Sequence, residues 1–151
     1  MKIKKRVLVF LLALLIISVS YFVYKISSNK IKHVCIENKS CFDVEVADSS
    51  EELALGLSNR EQIPENQGML FILPKESVPG FWMKGMKFSL DIIWINKNFE
   101  IAGIEKNLQP CEPNKECIAV YSREEIAYVL EIKSGLSESY GFENGDKVSL
   151  K

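Results

Sequence analysis

The chain has 151 residues, with 19 basic and 20 acidic side chains and a formal net charge of −1. All of the acidic residues lie beyond residue 36, whereas five of the basic ones lie at or before Lys25. The rest of the chain therefore sets fourteen positive against twenty negative side chains, a net of −6 that argues against nucleic acid and anionic lipid surfaces as partners.

Lys2, Lys4, Lys5 and Arg6 give residues 1–6 a basic character. Val7 to Tyr24 is apolar except for Ser18 and Ser20. A helix over that stretch rises about 27 Å, close to the ~30 Å hydrocarbon core of a bilayer. Segment 7–24 reads as a transmembrane helix acting as an anchor. A cleaved signal peptide competes with that reading, because Ser18-Val19-Ser20 offers small residues at cleavage spacing. A buried soluble helix is the remaining alternative. Tyr21-Phe22-Val23-Tyr24 continues the apolar run, which suits the anchor. The basic residues before the span outweigh Lys25, Lys30 and Lys32 after it by a modest margin. That bias puts the N-terminus in the cytoplasm and the rest of the chain outside it. Residues 25–32 then form a linker, and 33–151 one extracytoplasmic domain of ordinary size.

Within that domain, Cys41 to Ala47 alternates apolar and polar residues and predicts a strand. Ser49 and Glu52 make a capping box, which predicts a short helix over about 50–59. Pro64 to Gly68 has turn chemistry. Met69 to Leu73 is an apolar strand that Pro74 is expected to stop, and Phe81 to Met83 a further short strand. Leu90–Ile95 and Phe99–Ile104 flank Asn96-Lys97-Asn98 as a hairpin. Residues 107–118 read as a loop, 128–132 as a strand, 135–141 as a turn or short helical piece, and 147–150 as a last strand. The fold class is mainly β (α+β): a compact β-barrel or sandwich of short strands with one short packed helix.

The four cysteines form two pairs of equal spacing, Cys35 with Cys41 and Cys111 with Cys117. An even count behind a targeting segment suggests disulfides in an oxidising compartment. Of the three possible connectivities the two local pairs are favoured, because each brackets a polar turn. A zinc site is the rival reading, weakened by the spacing and by a single histidine, His33.

Gly56-Leu57-Ser58-Asn59-Arg60, Gly68 to Phe71, Phe81 to Lys84, Leu90-Asp91, Tyr128 to Glu131, Gly135 and Gly145-Asp146 together resemble the family called domain of unknown function 192, over residues 42–150. Cys111 and Cys117 followed by Tyr121 also resemble a pattern of that family. The resemblance implies a compact β-rich domain, commonly exported or membrane-anchored, and carries no activity with it. Two departures matter. The family tends to have Asn-Thr where this chain has Gly85-Met86, and often an arginine where it has Leu55.

No Gly-x-Ser-x-Gly, Gly-x-x-x-x-Gly-Lys or His-Glu-x-x-His motif occurs, and the single histidine, His33, is expected beside the membrane, where it does not serve a nucleophile–histidine site buried in the domain. The reading leans away from an enzyme, and no cofactor is expected. A binding module is the more economical choice. Trp82 and Phe81 would line a groove, with Lys84 and Asp91 as polar handles. The plainer alternatives are a core role for Trp82 and a backbone-bonded or solvent-facing role for Asp91. Arg60 either meets the carbonyl end of the helix or recognises a ligand carboxylate. Glu131 is expected to be paired across strands, and Tyr121 to pack the disulfide loop. Met83 and Met86, beside Trp82 and with Met69 near, could take Cu(I) as soft ligands, although methionine is also an ordinary gap-filler. A third class is a protein-docking module held at the membrane, its edge strand or the 107–118 loop meeting a partner.

Overall fold

The computed structural model describes Leu11, Leu14–Ser18 and residues 32–151. Most of the span expected at 7–24 and of the linker at 25–32 lies outside the described residues. Among the described residues, no helix is long and apolar enough to cross a membrane. The chain divides into units 1–30 and 31–151, and the second carries the sheet.

Seven strands form that sheet: β1 (Lys32–Ile36), β2 (Ser40–Ala47), β3 (Gln67–Ser77), β4 (Leu90–Ile95), β5 (Ile101–Leu108), β6 (Ile126–Lys133) and β7 (Val148–Leu150). Their spatial order is β5-β4-β6-β3-β2-β1-β7. Neighbours are antiparallel except β2 and β3, which run parallel. A parallel pair needs a crossover, and helix α1 (Ser50–Leu55) supplies it. A bridge between Glu100 and Lys147 joins the starts of the two edge strands, and Val148 donates its N–H to the Phe99 carbonyl at 2.8 Å. The sheet thus curls toward closure, as expected of a barrel.

Strand alternation sorts the core into two clusters. Val34, Phe42, Leu70, Ile93, Ile101, Leu130 and Val148, one from each strand, share the cluster that fills the concave side. The central strands bury a second cluster on the opposite face, including Met69, Phe71, Ile92, Trp94 and Val129, beneath Leu57, Ile63 and Met83. A sheet covered on both faces explains why β4 is buried along its whole length.

The capping box of α1 forms as read, with Ser49 accepting from the Glu52 amide and Glu52 reaching back to the Ser49 amide. The helix stops at Leu55, short of residue 59, because Gly56 turns to φ +51° and Asn59 to φ 65°. β3 runs through Pro74 and is not stopped by it. The β3–β6 register shifts between Ile72 and Ser77, so the proline falls where no ladder N–H is needed. Phe81 to Met83 makes only a bridge, Phe81 to Val120. β1 went unread, since its five residues sit beside the expected linker. Both local disulfides are present, Cys35–Cys41 across the β1–β2 hairpin and Cys111–Cys117 across the loop after β5, and no free cysteine remains for zinc. Helix α2 (Leu136–Ser139) follows β6.

Candidate functional site

On β6, residues Val129 and Glu131 point to the face of the second cluster. Glu131 lies between Met69 of β3 and Ile92 of β4 in the cross-strand register. Neither neighbour offers a charge or a hydrogen bond. The expected cross-strand partner is absent because the row is apolar on both sides. Glu131 is 6% exposed. Burial, with no compensating partner, pushes its carboxyl up to about 8. At neutral pH it is mostly an uncharged acid.

Above this carboxyl the chain builds a pocket of about 280 Å³. One wall is α1 with the turn after it, contributing Leu53, Leu57 and Ser58. The opposite wall is the segment from Pro79 to Met86, contributing Phe81, Trp82 and Met86. Phe71 and Leu73 of β3 line the base beside Glu131. The two walls are tied together. The Asn59 amide donates to the Gly85 carbonyl at 2.9 Å, and the Ser58 hydroxyl to the Lys84 carbonyl at 3.1 Å. On the far side, Phe81 and Val120 exchange backbone hydrogen bonds at 2.7 and 2.9 Å, and the Cys111 amide donates to the Met83 carbonyl. The rings interlock: Phe81 packs edge-on against both Phe71 and Trp94, with centroids 5.1 and 5.3 Å apart. Among the described residues, Glu131 is the only titratable side chain lining the pocket.

The structure distributes the sequence-derived candidates unevenly. Trp82 stands at the pocket mouth, 52% exposed. Lys84 is exposed and lines a neighbouring depression with Trp82, Cys111 and Cys117. Asp91 is wholly buried and away from the pocket. Its carboxylate accepts from the Asn107 amide at 2.8 Å, and from the Ser137 amide and hydroxyl at 3.0 and 2.6 Å, so it locks β5 and α2 to β4. Arg60 grips both carboxylate oxygens of Glu45 on β2. Met83 is buried in the second cluster, and Met86 packs at its margin on the pocket wall. Tyr121 packs against Gly80, where an added Cβ would come within 3.0 Å of the ring.

The residue that sequence reasoning missed is Glu131. Its signal was a carboxylate flanked by Leu130 and Ile132 in a strand that is otherwise apolar from Ile126.

The sequence model of the DUF192 family, described as an uncharacterized ACR, matches residues 32–150. The chain belongs to the DUF192 family. Two solved structures resemble it. A protein of unknown function from Novosphingobium aromaticivorans is 28% identical with a TM-score of 0.72, covering 78% of this chain and 83% of that one. A protein from Sinorhizobium meliloti, described as a candidate transcription regulator, is 28% identical with a TM-score of 0.73, covering 79% of this chain and 92% of that one. No curated protein matches the chain. Four of the segments that carried the DUF192 resemblance, 56–60, 68–71, 81–84 and 128–131, each supply a residue to the pocket. The two departures, Leu55 and Met86, line it as well.

Proposed function

We propose that this DUF192 chain is a membrane-tethered, extracytoplasmic and non-enzymatic binding module. Its pocket takes a small, largely apolar ligand that carries one polar group to Glu131. The observation behind this reading is the pocket itself. Apolar walls surround one largely buried carboxyl for which the described residues supply no hydrogen bond or opposite charge, which is the pattern of a ligand site with a single orienting group. Among the described residues, Glu131 shares the pocket with the Ser58 and Ser77 hydroxyls and the Trp82 indole as polar groups, a sparse set that suits orienting a ligand. The tether and the compartment rest on the apolar segment 7–24 and on two disulfides, which persist in oxidising surroundings. The acidic balance of the domain still argues against nucleic acid as a partner.

Native mass spectrometry of the full chain, released from membranes of an oxidising compartment, tests the ligand. The reading expects an added small-molecule mass that disappears in Leu53→Trp, which fills the pocket from α1. A bare chain mass in both proteins counts against it. Alkaline extraction with protease accessibility tests the tether, which requires the chain to stay with the membrane and its C-terminal domain to face outward.

A second reading has its own observation. Trp82, Val78, Ile118 and Tyr121 are exposed large side chains beside the pocket and the Cys111–Cys117 loop, with Ile118 80% exposed. Such a rim suits a protein partner docking at the loop. A photo-crosslinker at Ile118 that captures one defined protein in the membrane fraction would favour docking over ligand capture.

A further inference from the structure

We propose that the ligand is a compact organic monocation, an alkylated ammonium, held between the aromatic walls of the pocket and the carboxylate of Glu131. The inference rests on the binding reading above and names its ligand class.

Three aromatic side chains, Phe71, Phe81 and Trp82, line the same pocket as Glu131. Aromatic faces carry negative potential and attract cations, most of all cations too bulky to be strongly hydrated. A buried carboxyl ionises readily only beside a positive charge, because an ion pair offsets much of the cost of ionising it. Among the described residues, no lysine or arginine lines the pocket. The charged groups on the surrounding elements leave this vacancy open. On β3 and β4 the immediate neighbours are Met69 and Ile92, uncharged. One strand further out lie Glu45 on β2, already bound by Arg60, and Glu105 on β5. On α1, Glu52 is spent on the helix cap. Lys84, on the loop across the pocket, faces the neighbouring depression. The domain's excess of acidic residues adds attraction for a cation approaching from solvent. The volume of about 280 Å³ accommodates a trimethylammonium head with a short tail.

Binding costs one proton. Glu131 must release it to form the pair, so affinity rises with pH. The test is calorimetric titration of the full chain in nanodiscs with two probes of the same shape, choline and its neutral isostere 3,3-dimethylbutan-1-ol, at pH 6 and pH 9. The proposal expects choline to bind at least about tenfold more tightly than the alcohol at pH 9. For a free carboxyl titrating at about 8, choline affinity should fall roughly a hundredfold from pH 9 to pH 6, whereas the alcohol should not follow. Glu131→Gln should remove the preference for choline while sparing the alcohol. Trp82→Ala, at a half-exposed position, should weaken choline by about three- to tenfold. If the alcohol binds as well as choline at both pH values and Glu131→Gln leaves the ratio unchanged, the cation is wrong and the pocket reading stands. If neither probe binds, both readings fall.

Discussion

Glu131 and Gly56 meet at the pocket, the carboxyl oxygen Oε2 lying 4.0 Å from where a Cβ on Gly56 would sit. The same Cβ would stand 3.2 Å from the ring tip of Phe71. Gly56 has φ +51° and ψ −138°, a conformation that L side chains rarely adopt. One glycine therefore ends α1, turns the chain over the pocket and leaves the ring and the carboxyl room.

Gly56→Val combines both penalties, the backbone strain and the crowding of Phe71. Chemical denaturation should show a loss of about 1–3 kcal/mol. A variant as stable as the parent would mean that the turn relaxes without cost.

Glu131 makes stability depend on pH in a direction opposite to that of most carboxylates. Its folded-state value of about 8 lies above the ordinary 4.5, so the folded protein holds a proton that the unfolded chain gives up. The folded state binds more protons between those limits, and stability falls as pH rises through them, by up to about 1.4 kcal/mol per pH unit from this group. Glu131→Gln cannot ionise. Urea unfolding should find it close to the parent near pH 5 and several kcal/mol more stable at pH 9. Equal pH profiles for the two proteins would place an unseen partner on the carboxyl.

Much of the fold was legible. The capping box at Ser49, the hairpin at Asn96–Asn98 and the two cysteine pairs are local patterns, and local chemistry decides them. Pro74 misled because whether a strand tolerates proline depends on its register with the partner strand, and β3 bulges against β6 between Ile72 and Ser77, which no local window shows. The pocket was half legible. Phe81 and Trp82 announce themselves by composition. Glu131 and Asp91 look alike, each a carboxylate inside an apolar strand. One finds three donors and the other none, and that difference is made by Asn107 and Ser137, which arrive from elsewhere in the chain.

Asp91 should accordingly behave as structure and not as a ligand handle. Asp91→Ala strands two amides and a hydroxyl in the interior, and denaturation should record a loss of about 3 kcal/mol or more. Asp91→Asn keeps one carbonyl acceptor and should lose less. If Asp91→Ala folds normally but alters ligand binding, its place here is misread.

The Cys111–Cys117 bridge closes a short loop next to Trp82, whereas Cys35–Cys41 staples the β1–β2 hairpin. Replacing the hairpin pair by alanine should cost about 2 kcal/mol of stability in an unfolding titration. Replacing Cys111 and Cys117 should chiefly expose the 109–119 loop to limited proteolysis. Equal proteolysis of the parent and the loop variant would show that the bridge does not order that loop.

The central claim is that a small molecule enters between α1 and Trp82 and reaches Glu131. Methyl-labelled NMR of the full chain in nanodiscs, titrated with a fragment set that includes alkylammonium compounds, tests this most directly. The account predicts that binding fragments shift the Met86 and Leu57 methyls together with the Trp82 indole signal, and that Leu53→Trp abolishes these shifts. Fragments that leave those signals still, or that move only the concave-face cluster around Leu136, would contradict it.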